Sequence, residues 1–134
     1  MPSDDVRKLI YEAVAKQFGF PTFEKLSRGP QSRSKRIPRR YRKRDHSADI
    51  YQCILDAISL TGPKEKTHYN EIRDNLRLIL IDQDVPQKHE VSAALGHMYS
   101  IAKNELAGEP VLEWTDDFLY LTDPFLMFYM KWSL

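Results

Sequence analysis

The chain has 134 residues, room for one domain of about 90 residues and an appendage. Its apolar content is ordinary at 42% and no apolar run approaches the ~20 residues that a membrane-spanning helix needs; the opening Met1-Pro-Ser-Asp-Asp lacks the charged-then-apolar pattern of a secretory signal, so the expected location is the cytosol, or the nucleus if the organism has one. A formal net charge of +1 conceals a split: residues 1–46 hold 13 Lys/Arg against 5 Asp/Glu, a net of +8, and residues 47–134 hold 7 against 14, a net of −7, so nucleic-acid binding has to be assigned to one part or the other.

Asp4 and Asp5 start a helix expected from about Val6 to Phe18, where Val6, Leu9, Ile10, Ala13, Val14 and Phe18 form a stripe of helical period with two acids at the favourable end. Gly19 is expected to stop it. Thr22 to Leu26 then makes a short apolar turn, too brief to be a core by itself, and residues 1–27 together read as a helical arm that docks elsewhere, because an isolated helix of this length is marginal in water.

Residues 28–46 read as a basic linker. From Arg28 to Arg44 nine Lys/Arg fall in 17 residues, with Ile37 and Tyr41 as the large apolar side chains, and such a run cannot bury enough surface to fold alone. Four readings apply: a solvated linker, a phosphate-binding arm, a nuclear localisation signal, or a segment lying against the acidic domain that follows.

The domain proper is expected over 47–134. Ser47 or Asp49 caps a helix that runs to about Leu60 with Ile50, Ile54, Ala57 and Ile58 inward, and Gly62-Pro63 punctuates it. After a polar loop, Lys64-Glu65-Lys66, a second helix spans about Thr67 to Ile81 with Tyr69, Ile72, Leu76, Ile79 and Leu80 on its apolar side. A third is predicted to begin with Asp84 and Gln87 as a capping box, Pro86 in the first turn, and Val91, Leu95, Met98, Ala102 and Leu106 as its stripe out to Gly108. A hairpin over Val111–Thr122 follows; a two-residue turn at Asp116-Asp117 pairs Trp114 with Leu119 and Leu112 with Leu121, placing these four on one face. Thr122 or Asp123 caps a last helix with Pro124 in its first turn and Phe125, Phe128, Tyr129 and Trp132 at helical spacing. An isolated hairpin is marginal, so its apolar face needs the helices as cover. The order of three helices and a two-stranded wing is that of a winged helix-turn-helix, a mostly α fold.

The stretch Tyr120-Leu121-Thr122-Asp123-Pro124-Phe125-Leu126-Met127-Phe128-Tyr129 resembles the end of the C-terminal winged-helix domain of archaeal-type P-loop ATPases of the AAA and STAND superfamily, where a wing strand runs into an Asp-Pro-Phe helix. The resemblance covers roughly Ser47 to Trp132. It implies that the arm is the end of an ATPase helical lid and that the chain serves a parent ATPase.

The chemistry is sparse. Gly19, Gly29, Gly62, Gly96 and Gly108 are scattered and form no phosphate-binding loop, so this chain is not expected to hydrolyse ATP as the resembled family does. His46, His68, His89 and His97 lack metal-ligand spacing, Cys53 reads as a buried small hydrophobe, and no catalytic constellation stands out. No cofactor, metal or small-molecule substrate is expected. The nucleic-acid candidates are Arg33, Lys35, Arg36, Arg39, Arg40, Arg42, Lys43 and Arg44 of the arm as electrostatic anchor, with Lys88, His97 and Lys103 of the third helix setting orientation. The acidic wing tip Asp116-Asp117 and the domain's net charge oppose that use. The expected function is thus a non-catalytic winged-helix module of an AAA-type ATPase that binds nucleic acid chiefly through the basic arm; the alternative is a regulatory or assembly domain contacting the ATPase core or a partner protein.

Overall fold

The structure, a computed structural model, describes residues 4–29, 37–106 and 110–133. They form a mostly helical fold with one two-stranded and one three-stranded sheet. In chain order these are α1 (Asp4–Val14), a π-helical turn (Ala15–Gly19), α2 (Phe20–Arg28), β1 (Arg39–Arg40), β2 (Ser47–Ala48), α3 (Ile50–Leu60), β3 (Lys66–His68), α4 (Tyr69–Ile79), a 3-10 turn (Asp82–Asp84), α5 (Lys88–Asn104), β4 (Leu112–Thr115), β5 (Phe118–Leu121) and α6 (Pro124–Ser133). Among the described residues no helix is long and apolar enough to cross a membrane.

The hairpin has the expected register: Leu112 pairs with Leu121 and Trp114 with Leu119. Its turn residues Asp116 and Asp117 both take positive φ, 52° and 64°, the left-handed pair that matches the twist of a two-residue hairpin and that Asp tolerates better than most residues. Leu112, Leu119 and Leu121 are buried, while Trp114 is half-buried and packs against the edge of the core. Lys66–His68 was expected as loop and helix start; it is instead a third strand, paired with β5 through Thr67 and Leu119. His68 then caps α4, its Nδ1 accepting from the Asn70 N–H at 3.0 Å.

Helix α3 is the centre of the core, with Tyr51, Cys53, Ile54, Leu55, Ala57 and Ile58 all buried, so that its apolar side is wider than the four positions expected. Asp49 caps it, accepting from the Gln52 N–H. Asn75 of α4, a buried amide, donates to the Ala57 carbonyl at 2.9 Å and to Thr61 Oγ1 at 3.2 Å, tying α4 to the end of α3. Burial pushes the Cys53 thiol up to about 11, in keeping with a packing role. The start of α5 differs from expectation. Gln87 is its N-cap, with Glu90 Oε1 accepting from the Gln87 N–H at 3.0 Å, whereas Asp84 ends a 3-10 turn and faces Arg40. The helix ends at Asn104, and Gly108, its expected end, lies outside the described residues.

The N-terminal arm packs on this same core. Phe23 and Leu26 of α2 are buried in it, and the π turn and α2 lie against α6 through Phe18 on Phe125 (5.7 Å between ring centroids) and Phe20 and Phe23 on Tyr129 (5.6 and 5.2 Å). Gly19 does not stop a helix. It sits inside a continuous helical path where a Cβ would meet the Phe125 carbonyl oxygen at 2.4 Å, so its role is close approach to α6. On α6 itself the buried side chains are Leu126 and Met130, and Phe125 and Trp132 face outward.

Candidate functional site

Residues 37–46 of the basic segment form a strap over the acidic domain, the fourth of the readings open to that segment. Ile37 is exposed, but Arg39 and Tyr41 two residues apart both turn toward the domain, and Tyr41 is buried and bridges to Leu80 as an added strand would. Backbone bonds hold the strap in place: the Arg42 N–H donates to the Ile79 carbonyl at 2.8 Å and the Ile81 N–H to the Arg40 carbonyl at 3.0 Å. The Tyr41 hydroxyl donates to Asp56 Oδ2, and burial followed by that hydrogen bond pushes the phenol well above its ordinary range.

Three of the predicted phosphate ligands are thereby engaged. Arg39 is largely enclosed and donates to Glu90 Oε2 at 2.8 Å and to the Asp84 carbonyl at 2.9 Å. Arg40 forms a two-pronged pair with Asp84, Nε to Oδ2 at 2.9 Å and Nη2 to Oδ1 at 3.2 Å, a geometry that suits a planar fork. Arg42 pairs with Asp82 and its Nε reaches the Arg77 carbonyl at 3.0 Å, near the end of α4. Arg40's side-chain and backbone hydrogen bonds hold Asp84 below the usual carboxylate range. Glu90 is held low by the Gln87 N–H first and by Arg39 second.

Lys43 and Arg44 stay on the exposed part of the strap, Arg44 with its guanidinium 4.9 Å from the centre of the Tyr41 ring. Arg33, Lys35 and Arg36 lie outside the described residues. On α5, Lys88 is exposed but already engaged: it pairs with Asp117 of the hairpin tip at 2.9 Å and lies over the Tyr69 ring. His97 is exposed, with Nδ1 3.0 Å from the Tyr51 hydroxyl, and Lys103 lies over the Tyr99 ring. The exposed side of α5 carries Lys88, His89, Ala93, Gly96, His97, Ser100, Lys103 and Asn104, with Lys88 already paired to Asp117.

The strap responds to pH with a defined sign. Asp84 and Glu90 have depressed folded values, so their ion pairs contribute fully above the ordinary carboxylate value of about 4 and are lost as pH falls through the lower folded values. Arg39→Gln should cost about 1.5–3 kcal/mol at neutral pH, the range for a charged hydrogen bond. In thermal melts the gap between this variant and the unaltered chain should close as pH falls toward 2; a gap independent of pH would mean that the ion pair contributes nothing.

The strap itself was legible only as one of four alternatives. The signal that would have selected it is the apolar Tyr41 set among Arg39, Arg40 and Arg42, together with the acids at 82, 84 and 90. No family model, curated protein or solved structure matches the chain.

Proposed function

We propose that this chain is a non-catalytic winged-helix module of an AAA-type ATPase and that it works as an assembly domain, contacting the ATPase core or a partner protein. The observation that carries this reading is the exposed apolar pair of α1, Leu9 and Ile10, 64% and 55% exposed. An amphipathic helix held against α6 by packing, with this pair exposed, is placed to receive another surface. Trp132 extends that apolar surface from α6, with Lys8 4.8 Å above its ring. Support for the winged-helix part comes from the order α3, β3, α4, α5, β4–β5, and from Asp123, whose Oδ1 accepts from the Phe125 N–H at the start of α6. Assembly is favoured over nucleic acid because Arg39, Arg40, Arg42 and Lys88 already hold internal carboxylates.

The test is a fluorescence-anisotropy titration of the labelled chain with the nucleotide-binding core of an AAA-type ATPase. Each half-exposed side chain of the pair contributes roughly 1 kcal/mol when covered, so Leu9→Gln with Ile10→Gln should weaken association by about tenfold or more. Lys43→Gln with Arg44→Gln should leave it unchanged.

One observation supports nucleic acid as the second reading. Lys43 and Arg44 remain exposed, and with Arg33, Lys35 and Arg36 they make five cations. Were these to neutralise duplex phosphates, log K against log salt would slope by about −0.9 for each, or roughly −4.5 in all. Duplex binding with that slope, and none to the core, would replace the assembly reading.

A further inference from the structure

The strap, the end of α3 and the end of α4 enclose a groove of about 920 Å3. Its lining includes Leu60 and Leu78, 49% and 61% exposed, beside the partly covered Ile79. The same lining carries Arg42, Lys43, Arg44 and Arg77, all exposed. The one carboxylate in the lining, Asp56, is occupied: it accepts from the Tyr41 hydroxyl and, at 3.0 Å, from Gln52 Nε2. Two helix C-termini end here and offset about half an elementary charge each. Arg42 is offset by Asp82; Lys43, Arg44 and Arg77 against Asp56 and those two termini still leave the groove positive.

Single exposed leucines on a surface need no explanation. Two of them in the lining of one groove that also carries four cations make a surface of mixed character, apolar and positive together. A polyphosphate backbone matches the cations and leaves the leucines wet, and an uncharged apolar helix matches the leucines and leaves the cations unanswered. A chain segment with acidic and apolar side chains in alternation matches both.

We propose that this groove is a docking site for an acidic segment of a partner protein whose apolar side chains settle on Leu60 and Leu78 while its carboxylates meet Lys43, Arg44 and Arg77. Arg42 already pairs with Asp82. The site uses elements other than α1 and is independent of the assembly surface proposed above.

The experiment titrates the full chain into a short fluorescein-labelled peptide of Asp and Glu interspersed with Leu and Phe. Two further probes accompany it: the same peptide with Ser in place of Leu and Phe, and a labelled single-stranded oligonucleotide. The acidic-apolar peptide should bind, more weakly as salt is added, and the Ser peptide and the oligonucleotide should bind at least tenfold more weakly. Leu60→Ser with Leu78→Ser, and separately Lys43→Glu with Arg77→Glu, should each lower affinity for the first peptide by about tenfold or more. All four are surface positions, and circular dichroism checks that both variants keep the fold. Absence of binding by the first peptide overturns the proposal, as does equal binding by the Ser peptide, preference for the oligonucleotide, or indifference to the leucine pair in a folded variant.

Discussion

Leu95→Ala should lower the unfolding free energy by about 2–5 kcal/mol, the cost of removing a large aliphatic side chain from an enclosed site that cannot fully collapse. Leu95 is fully buried on α5, the helix that packs against α3, α2 and β4. Phe125→Ala is the informative comparison. The aromatic spacing of the last helix places Phe125 inward, and a similar loss is expected from sequence; in the structure Phe125 is 36% exposed and its ring leans on Phe18. The loss should then be smaller, about 1–2 kcal/mol by the apolar area it covers. Urea melts of the two variants measure both numbers. Equal losses would mean that α6 turns its aromatic side inward and that Leu126 and Met130 are not the buried pair.

Gly19→Ala should destabilise the chain by about 1–3 kcal/mol, toward the upper end of what overpacking costs. Helix propensity alone argues the reverse, because Ala is better than Gly in a helix interior by about 1 kcal/mol. The clash decides the sign: an added Cβ would lie 2.4 Å from the Phe125 carbonyl oxygen and 2.9 Å from its carbonyl carbon, backbone atoms of a packed helix that cannot rotate away. Gly96 supplies the internal control. It is an exposed glycine within α5 with open space around its Cβ position, so Gly96→Ala should stabilise by about 0.5–1 kcal/mol. Opposite signs for one chemical change at two helical glycines test whether the π turn is docked on α6. Stabilisation at both positions would show that it is not.

What could be read from the chain alone is what short-range chemistry decides. The hairpin was legible in register and turn because a two-residue loop and an alternating apolar face involve neighbours in sequence, and a slip by one residue would turn every leucine outward. Helices α3, α4 and α5 were legible from their stripes, with ends off by a few residues where local bonds compete, as at Asp84 and Gln87. Tertiary structure alone decided the rest. Strand β3 is three residues long with one buried side chain, Thr67, and it exists because β5, some fifty residues later in the chain, presents an open edge. Gly19 reads locally as a stop and becomes a contact point only when α6 lies across it. The same holds for the cations: a run of arginines looks like a phosphate ligand until Asp82, Asp84 and Glu90 are brought within hydrogen-bonding distance. Charge can be counted along a sequence, but whether it is available to a partner depends on which opposite charges the fold has already placed beside it.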